Sequence, residues 1–291
     1  MKDFEYSAAL TLDDAVGLLA ARGERASVLT GGTDLIVQLR EGQREADLIV
    51  DVKKIPQLME LSYSSANGLR LGAAVPCHRI YEHAEIGAAY PGLTDVAKII
   101  GGWQIQTRAS IGGNLCNASP AADSIPMLIA YNAVCRIVGP SGERSLPVTE
   151  MCKAPGRNSL SKGELLVSLD FPTVSARSSG AYLRFIPRNE MDIAVVGVGA
   201  WIKLNDAGDK IDEARIGLGA VAATPLYAEE ASQYLQGKPA TDETFAEAGE
   251  LAKRIAKPIS DKRGTAEYRT HLVGVLTKRT LAIATERARK T

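Results

Sequence analysis

Two glycine pairs set the terms for this chain. Residues 26–30, Ala-Ser-Val-Leu-Thr, read as a buried strand and run straight into Gly31, Gly32, Thr33 and Asp34, after which Leu35 opens a helical stretch to position 40. A strand, a glycine turn and a helix start in succession leave main-chain N–H groups free, a shape that suits phosphate. The second pair, Gly112 and Gly113, lies about eighty positions later inside Ser-Ile-Gly-Gly-Asn-Leu-Cys-Asn-Ala-Ser-Pro at 110–120. That stretch is rich in turn formers and carries no charge to hold it in water, so it reads as an irregular binding loop. Facing each other, two such turns would hold a diphosphate through main-chain amides without any lysine, helped by the side chains of Thr33, Ser110 and Asn114. Neither turn is GxGxxG or GxxxxGK followed by Ser or Thr, so the Rossmann and P-loop patterns do not apply. Glycine pairs also serve as plain structural turns, and residue types alone leave both readings standing.

The surrounding pattern is mixed. Thr11 caps a helix over 12–21 that Gly23 stops, and buried strands read at 47–52 and 69–75. A helix spans 91–101, and antiparallel strands are expected at 134–138 and 165–171. The polar stretch 172–179 divides the chain into domains at 1–175 and 176–291. Beyond it, β-rich runs at 181–185, 193–204 and 214–221 precede helices at 226–235, 242–257 and 267–287, with a hairpin turn at 205–208.

Lys plus Arg and Asp plus Glu both total 34, so no net charge favours nucleic acid or an anionic membrane. The longest apolar run, 193–202, is far below the ~20 residues of a membrane helix, and the N-terminus has no apolar signal core. A soluble, unexported, cytoplasmic protein is expected. Cys77, Cys116, Cys135 and Cys152 stand too far apart for a zinc set and read as reduced thiols, so no metal is assigned. Three histidines supply no triad, and His78 and His83 are read as structural; no catalytic residue is assigned. Asp123 and Asp34 each admit helix capping, and Asp123 also admits a role as acceptor for a sugar or polyol chain. Trp201 alternates within a strand and reads as core, whereas Trp103 stays open.

The segments at 29–40, Leu-Thr-Gly-Gly-Thr-Asp-Leu-Ile-Val-Gln-Leu-Arg, and 110–124, which ends in Ala-Ala-Asp-Ser, resemble the two flavin-binding signatures of the FAD-binding medium subunit of molybdenum hydroxylases. This is the family of xanthine dehydrogenase and aerobic carbon monoxide dehydrogenase. Residues 182–194 resemble the start of the family's C-terminal domain, and the similarity spans essentially the whole chain. The resemblance implies an α+β protein. An FAD-binding fold of the vanillyl-alcohol oxidase (PCMH) type in two subdomains would precede a smaller domain with a three-stranded antiparallel sheet and helices.

By position, the resemblance implies that Leu29, Thr30, Gly31, Gly32, Thr33, Asp34 and Leu35, with Ser110, Ile111, Gly112, Gly113 and Asn114, wrap the pyrophosphate of FAD, and that Asn117 also binds the cofactor. Asp123 would stand near the ribityl or adenosine end, Leu165 and Leu166 would line the flavin pocket, and Arg184 would sit near the flavin ring where relatives often have Lys. Gln106 replaces a common Arg, which bears on subunit contacts, and Ser110 replaces a usual Thr while keeping the hydroxyl. Cys116 reads as a packed residue, because the family branch with an extra iron–sulfur cluster needs clustered cysteines.

The implied function is electron transfer. A large subunit with molybdopterin hydroxylates the substrate, a small subunit carries two 2Fe-2S clusters, and FAD on this chain passes electrons to NAD or another acceptor, in a dimer of heterotrimers. Two alternatives remain open at this point: a free-standing flavin oxidoreductase of the same fold, and an assembly subunit without flavin.

Overall fold

The computed structural model describes residues 2–291. The chain opens with β1 (Glu5–Ala8), α1 (Leu12–Arg22), β2 (Ala26–Leu29), α2 (Leu35–Arg40) and β3 (Leu48–Asp51). The three strands form a parallel sheet in the order β1-β3-β2, which places the end of β2 at its edge. Thr11 caps α1 by accepting a hydrogen bond from the Asp14 N–H at 3.1 Å. Strand β3 is buried along its whole length, and Leu48 and Val50 pack with Ala15 and Leu19 of α1 in a small core.

A second unit follows: β4 (Leu61–Ser64), β5 (Gly68–Gly72), α3 (Cys77–Tyr81), α4 (Ala84–Ala89), α5 (Pro91–Ala97), α6 (Trp103–Gln106), α7 (Ile111–Asn117), α8 (Ser124–Ala130), β6 (Val134–Gly139), β7 (Gly142–Pro147), β8 (Cys152–Ala154), β9 (Arg157–Asn158) and β10 (Leu165–Phe171). Its sheet is antiparallel in the order β4-β5-β10-β6-β7, and the helices pack over it in the largest core. Strand β10 joins the two units: Leu166 belongs to the larger core and Leu165 to the smaller one.

The irregular loop expected at 110–120 is instead largely the helix α7. Ser110 caps it by accepting from the Gly113 N–H at 3.0 Å, and Ile111 and Leu115 on its inner face are fully buried. Burying each such side chain is worth about 1.5–3 kcal/mol, which outweighs the poor helix propensity of two glycines. The segment lacks charge because it lies in the interior, not because it is a loop.

The last unit contains β11 (Ser178–Phe185), β12 (Val196–Leu204), β13 (Ile211–Gly219), β14 (Leu226–Tyr227), α9 (Glu229–Leu235), α10 (Asp242–Lys253) and α11 (Ala266–Ala288). The three long strands expected here are joined by a fourth, two-residue edge strand, so the sheet runs β11-β12-β13-β14. Leu226 and Tyr227 pair with Leu218 and Gly217, and the helix expected from 226 begins only at Glu229. The strand β11 starts at Ser178, within the polar stretch 172–179.

This unit is tied to the preceding one by Asp95 of α5. Its carboxylate accepts from Arg287 Nη1 at 2.7 Å, from Arg287 Nη2 at 3.0 Å and from the Tyr182 N–H at 3.1 Å. Among the described residues no helix is long and apolar enough to cross a membrane.

Candidate functional site

The edge of the small parallel sheet and the second unit enclose a cleft of about 400 Å³. Thr30, Gly31, Gly32, Thr33, Asp34 and Leu35 line it from one side; Ser110, Gly112, Gly113, Asn114 and Asn117 line it from the other. Leu165 and Leu166 of β10 close its floor. The two bends, distant in sequence, therefore meet in space.

Their approach is close. The Ser110 hydroxyl donates to the Thr30 hydroxyl at 3.4 Å, and Gln38 Nε2 donates to Asn117 Oδ1 at 2.9 Å. A Cβ on Gly31 would stand 2.1 Å from the Arg108 carbonyl oxygen, so only glycine lets the first bend lie against the chain leading into the second. Among the described residues, the N–H groups of Gly31, Gly32, Thr33 and Asp34 have no protein acceptor, and neither do those of Ile111 and Gly112 in the first turn of α7. Gly31, Gly32 and Thr33 are half-buried and Asp34 is exposed, so their donors stand open to an acceptor that enters the cleft from outside the chain.

The FAD implied by the sequence resemblance fits this donor set, because a diphosphate supplies acceptors to amides from both bends at once. The approach between the bends leaves little room for a side chain at Gly113: a Cβ there would lie 2.8 Å from Thr30 Oγ1 and 3.0 Å from Ser110 Oγ. Asp34 opens to the cleft, and desolvation by the surrounding protein pushes its carboxyl above the usual range. It makes no side-chain cap bond to α2, so the capping expectation fails there. Arg44 and Lys162 line the cleft as well, and among the described residues neither has an ion-pair partner within 4.0 Å.

Four of the expected residues lie outside the cleft lining. Leu29 ends β2 and packs with the small core around Leu35, and Ile111 points into the main core with no exposure. Asp123 and Arg184 face each other across the seam between the second and third units. Arg184 Nη1 donates to Asp123 Oδ2 at 2.7 Å, and the Tyr182 hydroxyl donates to Asp123 Oδ1 at 2.9 Å. Burial pushes the Asp123 carboxyl up against the opposing pull of Arg184, and burial with the adjacent carboxylate drives the Tyr182 hydroxyl well above its usual range. Asp123 makes no side-chain cap bond to α8, so the capping expectation fails there too. Its two oxygens already hold β11.

Gln106 is buried and donates to the Lys98 carbonyl at 2.7 Å, an interior role unlike that of a surface cation. Cys116 lines the cleft with its thiol pushed up to about 12 by burial, which keeps it protonated and inert. The four cysteines are free. Trp201 packs against the main core as expected, while Trp103 is 80% exposed.

Among the cleft residues that the sequence reading did not single out are Gln38, Arg44, Asn158 and Lys162. Gln38 was within reach, as the polar residue one turn into the helix after the first bend. The others arrive from segments with no motif of their own.

The sequence matches the family model described as FAD binding domain in molybdopterin dehydrogenase over residues 2–174, and that of the CO dehydrogenase flavoprotein C-terminal domain over 181–284. It is 32% identical over 286 residues to the putative xanthine dehydrogenase FAD-binding subunit of Escherichia coli strain K12, covering 98% of this chain and 97% of that one. It is likewise 32% identical over 290 residues to the carbon monoxide dehydrogenase medium chain of Afipia carboxidovorans, covering 98% of each. The fold superimposes on a chain of the reconstituted CO dehydrogenase from Oligotropha carboxidovorans with a TM-score of 0.93 at 30% identity, covering 98% of this chain and 99% of that one.

Proposed function

The chain belongs to the FAD-binding medium subunits of the xanthine dehydrogenase and carbon monoxide dehydrogenase family of molybdenum hydroxylases, and from that premise we propose that it relays electrons from partner iron–sulfur clusters through FAD to NAD or another acceptor. The observation that carries the reading is the pair of bends whose amides open into one cleft without protein acceptors. Bound there, FAD supplies the step between one-electron donors and a two-electron acceptor.

The chain's own residues bind and orient. In this proposal the amides of Gly31, Gly32, Thr33 and Asp34 and those of Ile111 and Gly112 hold the diphosphate. Thr30, Thr33, Ser110, Asn114 and Asn117 add side-chain contacts, and Leu35, Leu165 and Leu166 exclude water beside the cofactor. Leu29 and Ile111 act from behind by fixing the two bends. Asp123 and Arg184 contribute through the seam, setting how the third unit meets the cleft. No residue need act as acid or base, since hydroxylation belongs to another subunit.

The same reading assigns residues 1–175 to the FAD-binding domain and 176–291 to the C-terminal domain. It makes the chain one part of a cytoplasmic dimer of heterotrimers with a small iron–sulfur subunit and a large molybdopterin subunit. Purification from the native source tests it. The account expects two copurifying subunits carrying iron and molybdenum, and a yellow chromophore, released as FAD on denaturation, that bleaches on addition of the complex's substrate and recovers with acceptor. A flavin-bearing chain that purifies alone and oxidises a substrate unaided would overturn the relay reading, and a chain that cannot take up FAD would overturn the cofactor assignment itself.

A further inference from the structure

The two ends of the cleft differ in chemistry. Beside the first bend stand Ala109, whose Cα lies 3.0 Å from the Cβ position of Gly31, and Ile100, both apolar. At the other end stand Glu24, Ser27, Ser161 and Lys162, with Leu19 and Leu160 as apolar wall. A flat, methylated isoalloxazine ring suits the first, and a ribose with its hydroxyls and a phosphate suits the second. Resting on the FAD reading above, we infer that Lys162, carried on a loop braced by Arg144 and Glu164, grips the adenosine-phosphate half of the dinucleotide and thereby selects FAD over FMN.

The brace is extensive. Arg144 of β7 donates to Glu164 through Nε at 2.7 Å and Nη2 at 2.8 Å, and the same Nη2 reaches the Ser159 carbonyl at 3.1 Å. Glu164 also accepts from the Ser161 N–H at 2.6 Å, and Asn158 Oδ1 accepts from the Leu160 N–H at 3.0 Å. Residues 158–164 are thus a fixed wall instead of a loose connection, and a pre-set bidentate pair holds geometry better than a single contact.

Lys162 leaves this wall across the turn that ends α1. A Cβ on Gly23 would lie 2.5 Å from Lys162 Cε, so the bare backbone there is what lets the stem cross toward the opposite wall. The ammonium group is exposed, and although Glu24 lines the same end it forms no ion pair with Lys162 within 4.0 Å. An exposed cation without a counter-ion at the polar end of an anion-binding cleft is placed to reach the adenosine-side phosphate of a diphosphate seated on the bends. FMN stops at the phosphate held by the bends, and only a ligand with the second half extends to Lys162.

The test uses the full chain stripped of flavin, with FAD, FMN and ADP as probes in titration calorimetry. Lys162→Gln is expected to weaken FAD and ADP by the same factor, about tenfold, and to leave FMN unchanged; a general loss of folding would weaken all three. The variant should also flatten the fall in ADP affinity between about 20 mM and about 200 mM salt, and Lys162→Arg should restore both affinity and salt response. Where FMN or ADP binds too weakly to titrate directly, its competition against FAD gives the same comparison. Unchanged FAD and ADP affinity in Lys162→Gln, or an equal loss for FMN, would overturn the inference while leaving the FAD reading intact. Failure of the unaltered chain to bind FAD would strike the parent reading.

Discussion

The cleft and the seam between the second and third units are built from similar residue types and use them in opposite ways. At the seam two partly buried carboxylates are answered: Asp95 accepts two bonds from Arg287 and one from the Tyr182 amide, and Asp123 is filled by Arg184 and Tyr182. In the cleft the amides of residues 31–34 and of Ile111 and Gly112 have no partner, and Lys162 and Arg44 have no counter-ion among the described residues. Satisfied polar groups hold a fold together, whereas a concentration of unsatisfied ones marks where a ligand belongs. Asp123 shows how the distinction separates neighbours in sequence, since it follows the second bend by ten residues and works for the seam.

The sharpest challenge to this division is Gly31→Ala. The new methyl would meet the Arg108 backbone oxygen, which cannot turn aside, and a cost of about 3 kcal/mol or more is expected from such overpacking. Thermal denaturation should show Tm lowered by roughly 6–12 °C with flavin lost as well. An unchanged Tm would mean that the bends are not in contact.

Asp95→Ala should do the reverse at the seam. It strands a partly exposed Arg287 and is expected to lower stability by about 2 kcal/mol in urea unfolding, with FAD content per folded chain unaltered. Loss of FAD in proportion to stability would erase the contrast between the two regions. Gly113→Ala then isolates the cleft. Its methyl meets only the Thr30 and Ser110 hydroxyls, which can rotate, so stability should move by less than about 1 kcal/mol while FAD affinity falls about tenfold in fluorescence titration.

The smallest effect expected is one of pH. Arg144 holds the Glu164 carboxyl below its usual range, so the pair's contribution is present above the unfolded value of about 4.3 and is lost as pH falls through the lower folded value. Glu164→Gln should therefore be less stable than the parent near neutrality, by about 1 kcal/mol, with the gap closing in acid. Melting curves from neutrality down to acid pH would show a constant gap if the pair contributes nothing to folding.

Much of this was legible in the sequence because it rests on local rules. The strand, Gly31–Gly32 and α2 follow from short-range pattern, and the bounds of α2 fall where the spacing put them. The stretch at 110–120 misled, since absence of charge marks burial as readily as it marks a loop, and only the packing of Ile111 and Leu115 decides. The seam bonds of Asp123 were out of reach for a related reason: its partners Tyr182 and Arg184 stand 59 and 61 positions away, where no spacing rule reaches. Lys162 and Asn158 come to the cleft only once β10 has paired with β5 and β6, so their place there is a property of the sheet and not of any motif.

Amide hydrogen exchange on the full chain, with and without FAD, tests the central claim most directly. The account predicts strong new protection at the amides of residues 31–34 and at Ile111 and Gly112 together, with little change around Asp95, Asp123 and Arg184. Bound FAD that leaves either bend exchanging at its free rate would contradict it.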